Sequence, residues 1–242
     1  MIHFAIPDGH QMSHVLKFFD GIGFFYEGYQ KKGTLNRRPT LTITSEETKQ
    51  IFNEPDSLFT KVIRPQDMPM HVASNNFDLA ITGTDWLKEH NVRFGNSPVE
   101  KLVNLGFGKV RIVAAIHETL PIHSISELRD FLNSFEPLNY FRIASEYSYI
   151  ADHYARIHKL YKYRIIMTYG ATESLIPEDA EMIIENTETG GTLRKNQLKI
   201  IDTLFESEGC LIAHKKSIED KEKGKIIEAI KRVFEHKLAE QS

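Results

Sequence analysis

Residues 185–196 read Glu-Asn-Thr-Glu-Thr-Gly-Gly-Thr-Leu-Arg-Lys-Asn and hold the densest set of groups in the chain able to grip a phosphate. The apolar run before them, Ala180 to Ile184, reads as a short buried strand. Leu193, Leu198, Ile201 and Leu204 recur at helical spacing, so Leu193 to Phe205 is expected to be a helix. A strand that enters a Thr/Gly turn at a helix start presents unpaired backbone N–H groups and the positive end of the helix dipole. Gly190 and Gly191 would admit a ligand close to the main chain, and Thr187, Thr189 and Thr192 would add hydroxyl donors. Glu185 stands where a carboxylate could hold sugar hydroxyls. On pattern alone the same residues also describe an ordinary strand–turn–helix junction.

The bulk properties narrow the function classes. The chain has 242 residues, with 30 Lys and Arg against 33 Asp and Glu. That balance argues against a general nucleic-acid binder. The single cysteine, Cys210, lies in an apolar run and excludes an internal disulfide and a cysteine-cluster metal site. The 11 histidines are scattered, and His153 and His158 are off the i, i+4 register of a helical metal pair. The N-terminus reads as a strand with no signal-peptide pattern, and no apolar run reaches membrane-spanning length, so a soluble, cytoplasmic protein is expected.

Strand-like and helix-like segments alternate. Strands are expected at 2–6, 41–44, 59–63, 79–82, 110–116, 142–144 and 164–167. Helices are expected at about 12–19, 65–74, 125–133, 148–160 and 221–238, with a short one near Trp86. This is an α/β pattern with largely parallel sheets, and it offers more strands than one open sheet comfortably holds. Two lobes are therefore expected: residues 1–104 plus about 191–242, and about 105–190. The crossings fall at Asn104–Lys109 and Gly190–Thr192, and ligands bind at the carboxyl ends of the strands in the cleft between the lobes.

Further segments join the 185–196 run: Arg64 to Pro69, Asp78 to Asp85, Leu105 to Ala114, Ile143 to Tyr147 and Gly170-Ala171-Thr172-Glu173. In this order and spacing the chain resembles the ATP phosphoribosyltransferases, from Ile2 to about Ala213. The resemblance implies a two-lobed fold like that of type II periplasmic binding proteins. It also implies the reaction that opens histidine biosynthesis, in which N1 of the ATP adenine attacks C1 of phosphoribosyl pyrophosphate and expels pyrophosphate, with Mg2+ as cofactor.

Carried over residue by residue, Glu185, Thr187, Glu188, Thr189, Gly190, Gly191 and Thr192 match the phosphoribosyl pyrophosphate loop, with Glu185 and Arg64 as the catalytic candidates. Asp8, His10, Arg37, Asp67, Thr82, Gly83, Asp85, Glu146, Tyr147 and Glu173 match segments lining the ATP side and the cleft. Glu185 and Asp8 are the metal-facing candidates. Where the family usually has Lys-Gly-Arg after the first proline, this chain has Asp8-Gly9-His10, which removes positive charge from a polyphosphate site. Lys31-Lys32 and Arg37-Arg38 read either as a solvated loop or as ATP contacts. The resemblance is to the short form without a C-terminal regulatory domain, which implies a homo-oligomer with a regulatory subunit similar to histidyl-tRNA synthetase. The residues also allow a two-lobed binding module without chemistry, or a subunit active only with a partner chain.

Overall fold

The computed structural model describes residues 1–30, 33–134 and 140–240. Lys31 and Lys32 lie outside the described residues. Along the chain come β1 (Ile2–Pro7), α1 (Met12–Ile22), β2 (Phe24–Tyr26), β3 (Leu41–Ile43), α2 (Glu46–Ile51), β4 (Leu58–Ile63), α3 (Met68–Ala73), β5 (Leu79–Gly83), α4 (Thr84–Arg93), β6 (Val99–Asn104) and β7 (Val110–His117). They are followed by α5 (Ile125–Ser134), β8 (Phe141–Ser145), α6 (Ser148–Ile157), β9 (Tyr163–Met167), β10 (Met182–Thr187), α7 (Gly191–Lys195), β11 (Leu198–Ser207), β12 (Gly209–His214), α8 (Lys215–Glu219) and α9 (Lys221–Ala239).

The chain divides into two compact units. The first comprises Met1–Leu87, Asn96–Gly108 and Glu208–Ser242; the second comprises Lys88–Gly95 and Lys109–Ser207. The first unit carries a five-stranded sheet in the order β4-β1-β5-β12-β6, and β2 and β3 form a separate antiparallel pair. β1 runs parallel to β4 and β5, and β12 runs antiparallel to β5 and β6. β1 is buried over most of its length because its neighbours and the flanking helices cover both faces, as its nearly continuous apolar sequence requires. α1 turns Met12, Val15, Phe18, Phe19 and Ile22 inward at helical spacing and stops at Gly23, whose left-handed conformation returns its N–H to the carbonyls of Phe19 and Asp20. α9 starts at Asp220, whose carboxylate accepts from the N–H groups of Glu222 and Lys223, and it buries Ile227, Ile230, Val233 and Phe234.

The second unit carries the sheet β11-β7-β10-β8-β9. β10, β8 and β9 are parallel, while β7 runs antiparallel to both β10 and β11. Within this unit the Glu89 carboxylate accepts from the Tyr149 and Ile150 N–H groups at 2.9 and 2.8 Å and so closes the open N-terminus of α6.

Two sequence-based expectations need correction. Leu193 to Phe205 is not a helix: α7 ends at Lys195 and Leu198–Ser207 is β11. The ladder to β7 slips at Ile200/Asp202 and again at Thr203/Phe205. Each bulge adds a residue, so the buried positions Leu198 and Ile201 fall three apart and imitate a helical period. The second correction follows from the first. Because β11 pairs along its length with β7, residues 191–207 belong to the second unit, and the chain returns to the first unit at Glu208 rather than at Gly190–Thr192. The crossing after Gly108 falls inside the expected Asn104–Lys109 segment. Among the described residues no helix is long and apolar enough to cross a membrane. Cys210 is fully buried, and burial pushes its thiol pKa up, which leaves it inert as a nucleophile.

Candidate functional site

Each unit collects its chemistry-bearing residues at the carboxyl end of three parallel strands, the end at which open α/β sheets receive ligands. In the second unit β8 ends at Ser145, β9 at Met167 and β10 at Thr187. Beyond β10 the backbone turns sharply. Gly190 adopts φ +73°, and its N–H donates to the buried Thr187 Oγ1 at 2.8 Å. This bond closes the turn over Thr187–Gly190 and leaves Glu188, Thr189 and Thr192 exposed around it. Arg194 reaches back to donate to the Thr189 carbonyl at 3.1 Å, and Asn196 donates to that of Thr192 at 3.0 Å. The loop is thus held by its own side chains before any ligand arrives, and a preformed loop spends less entropy on binding.

Glu185 sits two residues before the end of the strand, half-buried. Its carboxylate accepts from the Asn186 N–H at 2.9 Å, from Asn186 Nδ2 at 2.8 Å and from the Thr172 hydroxyl. Thr172 is fully buried and its oxygen lies 2.7 Å from Thr168 Oγ1, so Thr168 can donate to Thr172 while Thr172 donates to Glu185. Burial is the main force on the Glu185 carboxyl, the Asn186 and Thr172 donors work against it, and the charges of Glu146 and Glu173 reinforce it. The result is a pKa pushed up from 4.5 to about 7.

A carboxyl that holds its proton more tightly when folded stabilises the fold fully below 4.5 and loses that contribution as pH rises through about 7. Glu185→Gln is therefore expected to flatten the fall in thermal stability between those pH values. Melting curves of both proteins across that range check it, and parallel curves would refute it.

Tyr147 is fully buried. The sequence places it at a cleft edge, and the structure corrects this to a backing position. Its hydroxyl accepts from Asn186 Nδ2 at 3.1 Å, and its N–H donates to Ser145 Oγ, which in turn donates to the Ile184 carbonyl at 2.6 Å. Ser145, Tyr147 and Asn186 thereby lock the end of β8 to the end of β10. Asn186 also donates to Glu185 at 2.8 Å, so this one amide joins the backing network to the carboxylate. The sequence gives Ser145 and Thr172 no signal beyond their membership in two of the candidate segments. Glu146 and Glu173 are partly exposed near Glu185 and remain candidates for direct ligand contact.

In the first unit β1, β4 and β5 end together at Pro7, Ile63 and Gly83. Arg64 and Asp67 are exposed there, as is His10. Asp8 forms an ion pair with Arg37 at 2.6 Å, and its N–H donates to the Ile63 carbonyl. The carboxylate that the sequence sets against a polyphosphate is neutralised by its own cation, while the Arg37 side chain stays 59% exposed. Two expected cleft-lining groups are turned inward instead. Thr82 is fully buried and donates to the Pro65 carbonyl at 2.8 Å, which fixes the turn after Arg64. Asp85 is buried in the first turn of α4, its carboxylate folded over Gly83, where any Cβ would collide with it. Gly83 is required for that approach. Thr82, Gly83 and Asp85 are therefore scaffold.

A family model described as HisG, ATP phosphoribosyltransferase, matches residues 64–235, which include the turn after Arg64 and the whole β10–α7 loop. The chain belongs to the ATP phosphoribosyltransferase family. The ATP phosphoribosyltransferase of Solibacter usitatus is 36% identical over 176 residues, covering 72% of this chain and 56% of that protein. The one from Methanocaldococcus jannaschii is 32% identical over 242 residues, covering 97% of this chain and 73% of that protein. This chain thus spans little more than half the length of the first and about three-quarters of the second. A chain of the ATP phosphoribosyl transferase (HisG:HisZ) complex from Thermotoga maritima superposes with a TM-score of 0.69 at 22% identity, covering 98% of this chain and 100% of that one. The alkanesulfonate-binding protein SsuA from Xanthomonas axonopodis pv. citri matches with a TM-score of 0.55 at 7% identity, covering 98% and 72%. These likenesses establish the expected fold class, α/β of the periplasmic-binding-protein kind.

Proposed function

We propose that this ATP phosphoribosyltransferase family member condenses ATP with phosphoribosyl pyrophosphate, giving phosphoribosyl-ATP and pyrophosphate. The observation that carries the reading is the closed Thr187–Gly190 turn with Glu185 just before it, in a chain of this family. The adenine N1 lone pair forms the new bond to C1 as the C1–O bond breaks, and the electron pair leaves on pyrophosphate. The transition state is oxocarbenium-like, so positioning and electrostatics matter more than a strong base. Thr189, Thr192 and the Gly191 N–H hold the 5-phosphate, while the Gly190 N–H stays with Thr187 and keeps the turn closed. Glu185, ionised above about pH 7, accepts from the ribose hydroxyls. Arg64, exposed at the end of β4, supplies positive charge to the departing pyrophosphate, and Arg37, His10 and Asp67 serve the nucleotide.

Glu185 is the oxygen donor that would face a hard divalent cation such as Mg2+, which when bound would screen the pyrophosphate charge. Asp8 fits less well, because Arg37 already satisfies it.

The expected result is pyrophosphate release that requires ATP, phosphoribosyl pyrophosphate and Mg2+ together; release with any one omitted, or none with all three, would reject the reading. A second reading is favoured by the complex to which the Thermotoga chain belongs. On this reading the chain acts as a homo-oligomer in the cytoplasm, in company with a histidyl-tRNA-synthetase-like subunit. It predicts turnover that appears only when that second chain is added.

A further inference from the structure

Arg37 is fixed at the carboxyl end of β1 and β4 through its backbone. Its carbonyl accepts from the Val62 N–H at 3.0 Å, on the edge strand of the first unit's sheet. One residue back, the Asn36 N–H donates to the Gly28 carbonyl at 2.9 Å, and Asn36 Oδ1 accepts from the Arg38 N–H at 2.9 Å. Gly28 has φ +77°, and Asn36 packs where a Cβ on that residue would stand. The turn that carries Arg37 is thus clamped from two sides. Asp8 is held as firmly. Its N–H donates to the Ile63 carbonyl at 3.0 Å, and the carbonyl of Pro7 before it accepts from the buried Tyr29 hydroxyl at 2.5 Å. Between these two anchored residues, Arg37 Nη1 donates to Asp8 Oδ2 at 2.6 Å and to the Val62 carbonyl at 3.4 Å. Among the described residues the guanidinium spends only Nη1 on these bonds, which leaves Nε and Nη2 for a second anion. An ion pair whose cation is 59% exposed adds little to stability. What the pair fixes is the direction of a long, flexible side chain.

We propose that Asp8 is a positioning residue for nucleotide binding: it holds the Arg37 guanidinium by one edge so that the other edge meets the polyphosphate of ATP. The inference rests on the functional reading above and assigns Asp8 a part in it. Two roles for this carboxylate predict effects of opposite sign. Acting through its charge alone, Asp8 repels a polyphosphate, and its removal tightens ATP binding. Acting by aiming Arg37, it spares the ligand the cost of ordering that side chain, and its removal weakens ATP binding. The geometry favours the second role. Asp8 Oδ2 is occupied by Arg37, the pair carries no net charge, and the charge-assisted bonds of an aimed guanidinium act at short range, where solvent screens them least.

Calorimetric titration of the full-length chain with ATP, in about 0.15 M salt to screen distant charges, separates the two roles. Asp8→Ala is expected to weaken ATP binding about three- to tenfold, the range that ordering one long side chain spans. Asp8→Asn keeps the size and one acceptor oxygen without the charge, so its affinity should fall between the two; it also carries the test should Asp8→Ala fail to fold. In an Arg37→Ala background, Asp8→Ala should no longer weaken ATP binding, because there is no guanidinium left to aim. Affinity for phosphoribosyl pyrophosphate with Mg2+ should stay unchanged in every variant, which a general disturbance of the fold would not allow. Tighter or equal ATP binding by Asp8→Ala and Asp8→Asn, the same loss with Arg37 absent, or an equal loss of affinity for phosphoribosyl pyrophosphate would each overturn this inference and leave the functional reading standing. A wild type that binds no ATP would overturn both.

Discussion

Thr187→Val is expected to raise the KM for phosphoribosyl pyrophosphate about five- to a hundredfold while changing the KM for ATP little. Thr187 Oγ1 is the acceptor for the Gly190 N–H at 2.8 Å, and both residues are buried. Valine fills the same space and accepts nothing. The stranded N–H costs about 1–3 kcal/mol in the closed turn, which at about 1.4 kcal/mol per decade gives the range stated. The penalty falls on the population of the competent loop and therefore on the ligand that needs it. Thr187→Ser keeps the oxygen and should restore binding, a rescue that a general packing defect would not show. Calorimetric titration with phosphoribosyl pyrophosphate and Mg2+ provides the same comparison without turnover. An unchanged affinity in Thr187→Val would remove the loop from the donor site.

The loop was legible in the sequence because its signals are local. Thr187, Gly190 and Gly191 lie within one turn, and the strand before them is a plain apolar run. The same holds for β1, β7 and α9, whose periods are unbroken. What sequence spacing missed depends on partners far along the chain. Asp8 looked out of place beside a polyphosphate because Arg37, 29 residues on, is its counter-ion, and proximity in space leaves no trace in spacing. Thr82 and Asp85 looked like ligands because hydroxyls and carboxylates at a strand end fit that role. Only the Pro65 carbonyl and the Gly83 backbone show that both are occupied in building the end of β5. β11 departs from the expected helix for a different reason: two bulges convert a period of two into an apparent period near three. The lobe boundary moved with it, because one strand's pairing decides which unit a segment joins.

The largest stability effect is expected at a buried carboxylate outside the proposed site. Asp78, whose side chain is 4% exposed, stands just before β5. Its carboxylate accepts from the Ser217 hydroxyl at 2.6 Å, from Lys223 Nζ at 2.7 Å and from the His3 N–H at 2.9 Å. It thus ties β1 and β5 to α8 and α9, elements up to 145 residues apart in sequence. Burial pushes its pKa up, but the bonds from Lys223, Ser217 and His3 outweigh burial and hold it below 3.8. Asp78→Ala strands the His3 N–H and the Ser217 hydroxyl and is expected to cost about 3 kcal/mol in urea unfolding. Lys223 is about one-third exposed, so solvent screens its share, and Lys223→Met should cost less. A carboxyl held low by its partners stabilises above its unfolded pKa and loses that contribution as pH falls through the folded value. The wild type should therefore shed this stability only below about pH 3.8, whereas Lys223→Met, with the counter-charge gone, should begin to lose it at higher pH. Equal acid midpoints for the two proteins would show that the Asp78–Lys223 pair does not hold the closing helix to the sheet.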